Sequence, residues 1–198
     1  MVGQPIFRFR REDERFPGVQ LGHGVLIVNA GPPSYQSWEA FQPVLRAALE
    51  AFVETRPADG PKELTNASLR YIDRFDEELR AGAPCFRFIV EDLGIEIPMP
   101  DHLKQVCADP ATVLPNVGLR FPVRDARATL TVQIAAGRFP PRGPWDVVVD
   151  STYTAEGPFR LDPEAVLGTL GSGYNILHAW FESLIRKIRD RLKPAEHS

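Results

Sequence analysis

The chain is poor in metal-binding side chains. It holds two cysteines and four histidines in 198 residues. None of them falls into a Cys-x-x-Cys, His-x-His or His-Glu-x-x-His spacing. The expectation is therefore no metal and no cofactor. Cys85 and Cys107 are too few for a disulfide scaffold and are read as free thiols. The net charge is only −3, so there is no basic excess to attract nucleic acid or an anionic membrane. No apolar run reaches the ~20 residues of a spanning helix. No signal segment opens the chain, since Met1-Val2-Gly3-Gln4-Pro5 leads straight into Phe7-Arg8-Phe9-Arg10. Together these absences point to a cytoplasmic protein without a membrane partner. The nucleophile elbow Gly-x-Ser-x-Gly is missing as well.

What is present is ordinary for a globular chain. Hydrophobic residues make up 43% and charged residues 25%, which suits one domain over residues 1–198. The 19 prolines and 15 glycines punctuate apolar runs, so they imply many turns rather than disorder.

The clearest helical signal is the last one. Leu170, Tyr174, Leu177, Phe181, Leu184, Ile188 and Leu192 recur at steps of three and four, and so share one face. Asp162 is a suitable N-cap, with Pro163 at the first helical position. Gly171-Ser172-Gly173 is expected to break a short lead-in helix from the long one. Placed before a helix, it is also a weak candidate for a phosphate cradle, but it lacks the Lys-Ser/Thr of a P-loop. An earlier long helix is expected after Ser34 or Ser37, with Trp38, Phe41, Leu45, Ala48 and Phe52 as its stripe and Pro43 kinking it or closing a lead-in turn.

The remaining segments read mainly as strands: Ile6 to Arg10, Val19 to Asn29, Leu64 to Phe75, Asn116 to Val123, Ala128 to Gly137 and Trp145 to Tyr153. A short helix is expected over Phe86 to Leu93, with a strand as the alternative. Short links between consecutive strands favour antiparallel pairing. The fold expected is α+β: one curved antiparallel sheet of about six strands, two long helices on one face, and the C-terminal helix laid across the sheet in a helix-grip-like manner.

Three blocks resemble a family. Tyr35-Gln36-Ser37-Trp38 followed by Phe41, then Leu69-Arg70-Tyr71-Ile72-Asp73-Arg74, then His178 to Ile185 are similar to motifs of a sporadically distributed family of uncharacterised bacterial proteins. Its members carry a Tyr-x-x-Trp-x-x-Phe helix start, a Leu-Arg-Tyr-Ile-Asn-Arg strand and a closing helix with a histidine and a phenylalanine. Asp73 stands where that family has asparagine, and the chain is expected to be short at its N-terminus. The resemblance implies a shared fold. It implies no activity and no site.

Candidate site residues come from the pattern alone. Arg70 and Arg74 share one strand face, a possible anion-binding pair, with a solvated or ion-paired face as the bland alternative. Asp73 and Tyr71 take the other face. His178 stands on the border of the last helix's stripe. It becomes a general base only if Asp73 or Asp150 lies in reach, and is otherwise a half-buried histidine. Trp180 widens the same stripe. The ligand-binding candidates are thus Arg70, Tyr71, Asp73, His178 and Trp180, and no catalytic residue is assigned.

The function expected is non-enzymatic: a binding or interaction protein with a protein partner, accessory to a bacterial multi-gene system of defence type. A small apolar-ligand carrier with a cavity between helix and sheet is the first alternative. A hydrolase built on His178 is the second.

Overall fold

A computed structural model describes residues 5–10, 18–32, 34–109, 112–124, 126–138 and 141–192. Part of one sequence reading, the N-terminal approach before Pro5, lies outside the described residues. The fold is mixed α+β, with two antiparallel sheets of three and four strands. Its elements run β1 (Pro5–Phe9), β2 (Val19–Gly22), β3 (Val25–Val28), α1 (Trp38–Thr55), β4 (Glu63–Phe75), α2 (Cys85–Arg87), a π-helical turn (Phe88–Asp92), α3 (Asp101–Val106), β5 (Asn116–Pro122), β6 (Ala128–Arg138), β7 (Trp145–Arg160), α4 (Pro163–Leu184) and a short 3-10 turn (Arg189–Arg191). The chain forms two compact units, residues 1–64 with 159–168 and residues 65–158 with 169–198.

The first unit carries the sheet β1-β2-β3. The single strand expected over Val19 to Asn29 is in fact a hairpin, in which Gly22 pairs with Val25 and Val19 with Val28. Its turn is His23-Gly24, and Gly24 supplies the positive φ of +72° that a tight turn needs. The strands thus form sheets of three and four, not the single sheet of about six expected. The helix α1 starts at Ser37 and not Ser34: the Ser37 hydroxyl accepts the Ala40 N–H at 3.2 Å. Pro43 stays inside a continuous helix. Trp38, Leu45 and Leu49 are its buried residues. Arg46 grips the Glu164 carboxylate with both guanidinium branches.

The second unit is built on the sheet ordered β4-β7-β6-β5. Each strand obeys the period of two. On β7, Val147, Val149, Ser151, Tyr153 and Ala155 are buried; on β6, Ala128, Leu130, Val132 and Ile134 are. The register matches them, with Val149 opposite Ile134 and Tyr153 opposite Leu130. On β4 the buried set is Ala67, Leu69 and Phe75. Phe75 meets Phe88 of the π-helical turn, their ring centroids 5.5 Å apart.

The helix α4 differs from expectation in its interior and at its C-terminal end. It runs without interruption through Gly171-Ser172-Gly173, so this motif is neither a break nor a cradle at a helix start. The Asp162 carboxylate accepts the Ala165 N–H at 3.3 Å, the expected cap. The helix stops at Leu184, and Ile188 and Leu192 follow it in turns. Leu177 and Leu184 are buried as the spacing implies, while Tyr174 and Phe181 are only half-buried. Gly173 lies against the sheet: a Cβ there would lie 2.3 Å from Cδ1 of Tyr153. The inner face of the sheet is therefore the one that α4 covers. The other face looks outward.

Candidate functional site

The outward face of the four-stranded sheet carries the first candidate. Along β4 the alternate residues Ser68, Arg70, Ile72 and Arg74 are all exposed. Their neighbours on β7 answer them in kind. The Ser68 and Thr154 hydroxyls are 3.0 Å apart. The Arg70 Nε–H donates to Asp150 Oδ1 at 2.8 Å, and its second branch bonds the other carboxylate oxygen. The Arg74 Nε–H donates to Asp146 Oδ2 at 2.7 Å. As Ser68 to Arg74 rises along β4, the partners fall along β7, as antiparallel strands require.

The pattern continues across the sheet. Asp150 lies opposite Gln133, Thr152 opposite Thr131, and Thr154 opposite Thr129. Gln133 in turn lies opposite Gly118, and Thr131 opposite Arg120. The face is thus a table of hydroxyls and amides, with Arg70, Arg74 and Arg120 set into it. In the middle of the β4 row stands Ile72, 60% exposed, between two arginines whose guanidinium groups are already fixed by carboxylates.

Asp146 is the anchor of this face. It is fully buried, whereas its partner Arg74 is half in solvent. One carboxylate oxygen, Oδ1, has no hydrogen-bond donor among the described residues. Arg80, also buried, donates to the carbonyls of Ala83 and Trp145. Nearby, burial pushes the Cys85 thiol up, with Arg80 opposing that shift and Asp146 reinforcing it. The sequence reading missed Asp146. The signal was there: Asp146 and Asp150 stand four apart on β7, as Arg70 and Arg74 do on β4, so opposed charges meet twice across one ladder.

The five sequence candidates do not converge. Arg70 lies on the outward face, and the hydrogen bond it donates to Asp150 holds its pKa above the ordinary arginine value. Tyr71 and Asp73 take the inner side of β4, as the alternation implied, and both are half-buried. Desolvation raises the Asp73 carboxyl to about 6. His178 is exposed on α4 and stacks on Tyr174, ring centroids 5.4 Å apart and planes 18° off parallel. It is not half-buried against the sheet. Asp150, one of its two possible carboxylate partners, is held by Arg70 on the face that α4 does not cover.

Trp180 belongs to a different place, the second candidate. It lines a cavity of about 290 Å³ between the end of α4 and the Asp92 to Ile95 segment. The Trp180 Nε1–H is buried and has no acceptor among the described residues. The sequence reading included Trp180 but not its cavity neighbours Ser183 and Arg186. Their nearness to Leu93 and Ile95 is a tertiary fact with no local pattern behind it.

Among the described residues no group of three or more His, Cys, Asp or Glu side chains is placed to hold a metal. No helix among them is long and apolar enough to cross a membrane. No protein-family model matches the chain, and no curated protein matches it.

Proposed function

We propose that this chain is a non-catalytic binding protein that docks a protein partner on the outward face of its four-stranded sheet. The observation that carries the reading is Ile72. A large aliphatic side chain 60% exposed, flanked by two arginines, reproduces the make-up of an interface centre: apolar contact within a polar rim, with arginine enriched and lysine scarce. Arg70 and Arg74 are held in place by Asp150 and Asp146, so little of their rotamer freedom remains to be lost on binding. Arg120 has no carboxylate partner among the described residues, so it tilts the face positive. The partner is therefore a protein whose contact surface sets carboxylates around an apolar side chain.

The α4 helix over the inner face fits a helix-grip-like reading, in which the helix fills the core and leaves the other face for recognition. The hydrolase alternative draws no support from the exposed His178.

The test is site-specific crosslinking in the cells that make the protein. A photoreactive benzoylphenylalanine at Ile72 is expected to give one discrete heterologous adduct, and Arg120→Glu in the same chain should abolish it. The same probe at Val106, exposed on α3, should give none. An adduct with a second copy of this chain would overturn the heterologous reading, and no adduct at Ile72 would overturn the docking face itself.

A further inference from the structure

We propose that the open edge of β5 takes an extended acidic segment of a partner protein as an added antiparallel strand. The sheet is ordered β4-β7-β6-β5, so β5 pairs on one side only. The bonds at its two ends show which of its backbone groups face β6. The Pro115 carbonyl accepts the Ala136 N–H at 3.1 Å, and the Val123 N–H donates to the Ala128 carbonyl at 2.9 Å. The register between them is unbroken, from Asn116 opposite Ala135 to Pro122 opposite Thr129. Alternation then turns the backbone groups of Val117, Leu119 and Phe121 toward β6. The N–H and C=O groups of Asn116, Gly118 and Arg120, with the C=O of Pro122, point the other way.

This outer row is unoccupied by the chain itself. Among the described residues no backbone hydrogen bond reaches it, and Asn116, Gly118, Arg120 and Pro122 are all exposed. A Cβ added at Gly118 would meet only the Gln133 amide, at 3.6 Å, so no other element lies over the strand there. An exposed row of alternating donors and acceptors is a template for a further strand.

The side chains select which strand. On the inner face Phe121 is 42% exposed, although Leu130 opposite it is buried. The apolar layer thus runs out to the edge of the sheet, where an added strand extends it with apolar residues of its own. On the outward face the charge has one sign. Arg120 lies on β5 and Arg124 and Arg127 on the link that follows; all are exposed. None has a carboxylate partner among the described residues, and together they outnumber the link's single acid, Asp125. β5 itself holds no acidic residue. Two such edges brought together would set arginines against each other, so the charges that admit an acidic segment oppose self-pairing. A segment that alternates acidic and apolar residues fits both faces at once. The edge and the Ile72 surface share only Arg120, and each has its own readout.

The test uses the whole chain and a seven-residue probe matched in length to β5, acetyl-Glu-Val-Glu-Val-Glu-Val-Glu-amide. Amide hydrogen exchange, followed by nuclear magnetic resonance, reads each backbone donor. The peptide should slow exchange at Asn116, Gly118 and Arg120 saturably, by about tenfold or more, while Val117, Leu119 and Phe121 are protected with or without it. The lysine counterpart, acetyl-Lys-Val-Lys-Val-Lys-Val-Lys-amide, should protect none of the three. Arg120→Glu should weaken the acidic peptide about tenfold without changing the unfolding midpoint. N-methylation of the peptide's glutamates, whose amides face β5 in an antiparallel addition, should abolish protection. The proposal is overturned if the acidic peptide leaves the three edge amides unprotected, or if the lysine or N-methylated peptide protects them equally. Protection of the same amides that rises with protein concentration alone would assign the edge to a second copy, and would overturn it too.

Discussion

Gly173 lies against the ring of Tyr153, so close that a Cβ there would sit 2.3 Å from Cδ1 and 2.8 Å from Cε1. This contact sets how near α4 comes to β7. It also reverses the usual sign of a helix substitution. Alanine in a helix interior is ordinarily better than glycine by about 1 kcal/mol. Here Gly173→Ala should instead destabilise by about 1–3 kcal/mol, because the ring or the helix must move. Gly171→Ala, where a Cβ meets nothing within 4 Å, should stabilise or be neutral. Urea unfolding of the two variants checks the contrast.

The two ion pairs of the outward face should behave very differently. Asp150 and Arg70 are both partly in solvent, so Asp150→Ala should cost no more than about 1 kcal/mol. Asp146 is fully buried. Asp146→Ala removes the fully buried member of the Arg74 pair, and should cost on the order of 3 kcal/mol. Equilibrium unfolding at neutral pH reads both. Equal costs would contradict the burial of Asp146.

Asp73 makes stability depend on pH with a definite sign. Its folded-state pKa is raised to about 6, above the ~3.9 of an unfolded aspartate. The folded form therefore holds its proton more tightly. The stabilisation is complete below the unfolded value and disappears as pH rises through 6. At about 1.4 kcal/mol per pKa unit, ionised Asp73 costs the fold roughly 2–3 kcal/mol at pH 8. Asp73→Asn should remove most of that penalty at pH 8 and change little at pH 4. Unfolding midpoints at the two pH values, in wild type and variant, check this.

Leu177 and His178 are neighbours on α4 with opposite surroundings, one buried and one exposed. Leu177→Ala should cost about 2–5 kcal/mol. His178→Ala should stay within about 0.5 kcal/mol. A large loss at His178 would mean that it is engaged in more than its stack on Tyr174.

Much of this fold was legible because local chemistry and tertiary structure agree. The alternation of Ala67, Leu69 and Tyr71 against Ser68, Arg70 and Ile72 assigned both faces of β4 correctly. The cap Asp162 marked one long helix, and for the other the sequence left Ser34 and Ser37 as rivals that the structure decides for Ser37. Other features were hidden because tertiary contacts override local preference. Gly171-Ser172-Gly173 carries the composition of a break, yet the helix continues because Tyr153 requires a residue without a side chain at 173. Val19 to Asn29 reads as one apolar strand, and only the backbone freedom of Gly24 folds it into a hairpin. The Trp180 cavity unites Asp92 to Ile95 with Ser183 to Lys187, distant stretches that no periodicity links. His178 stood on the border of the stripe by angle, and the border proved to be solvent.

The central claim, that the outward face of the sheet is a docking surface centred on Ile72, is tested most directly by Ile72→Glu. The substitution is on an exposed strand position, so the unfolding midpoint should stay within about 0.5 kcal/mol of wild type. With a photocrosslinker at Gln133 on the same face, the account expects the partner adduct to disappear in this variant. An adduct that persists undiminished in a fully folded Ile72→Glu chain would contradict it.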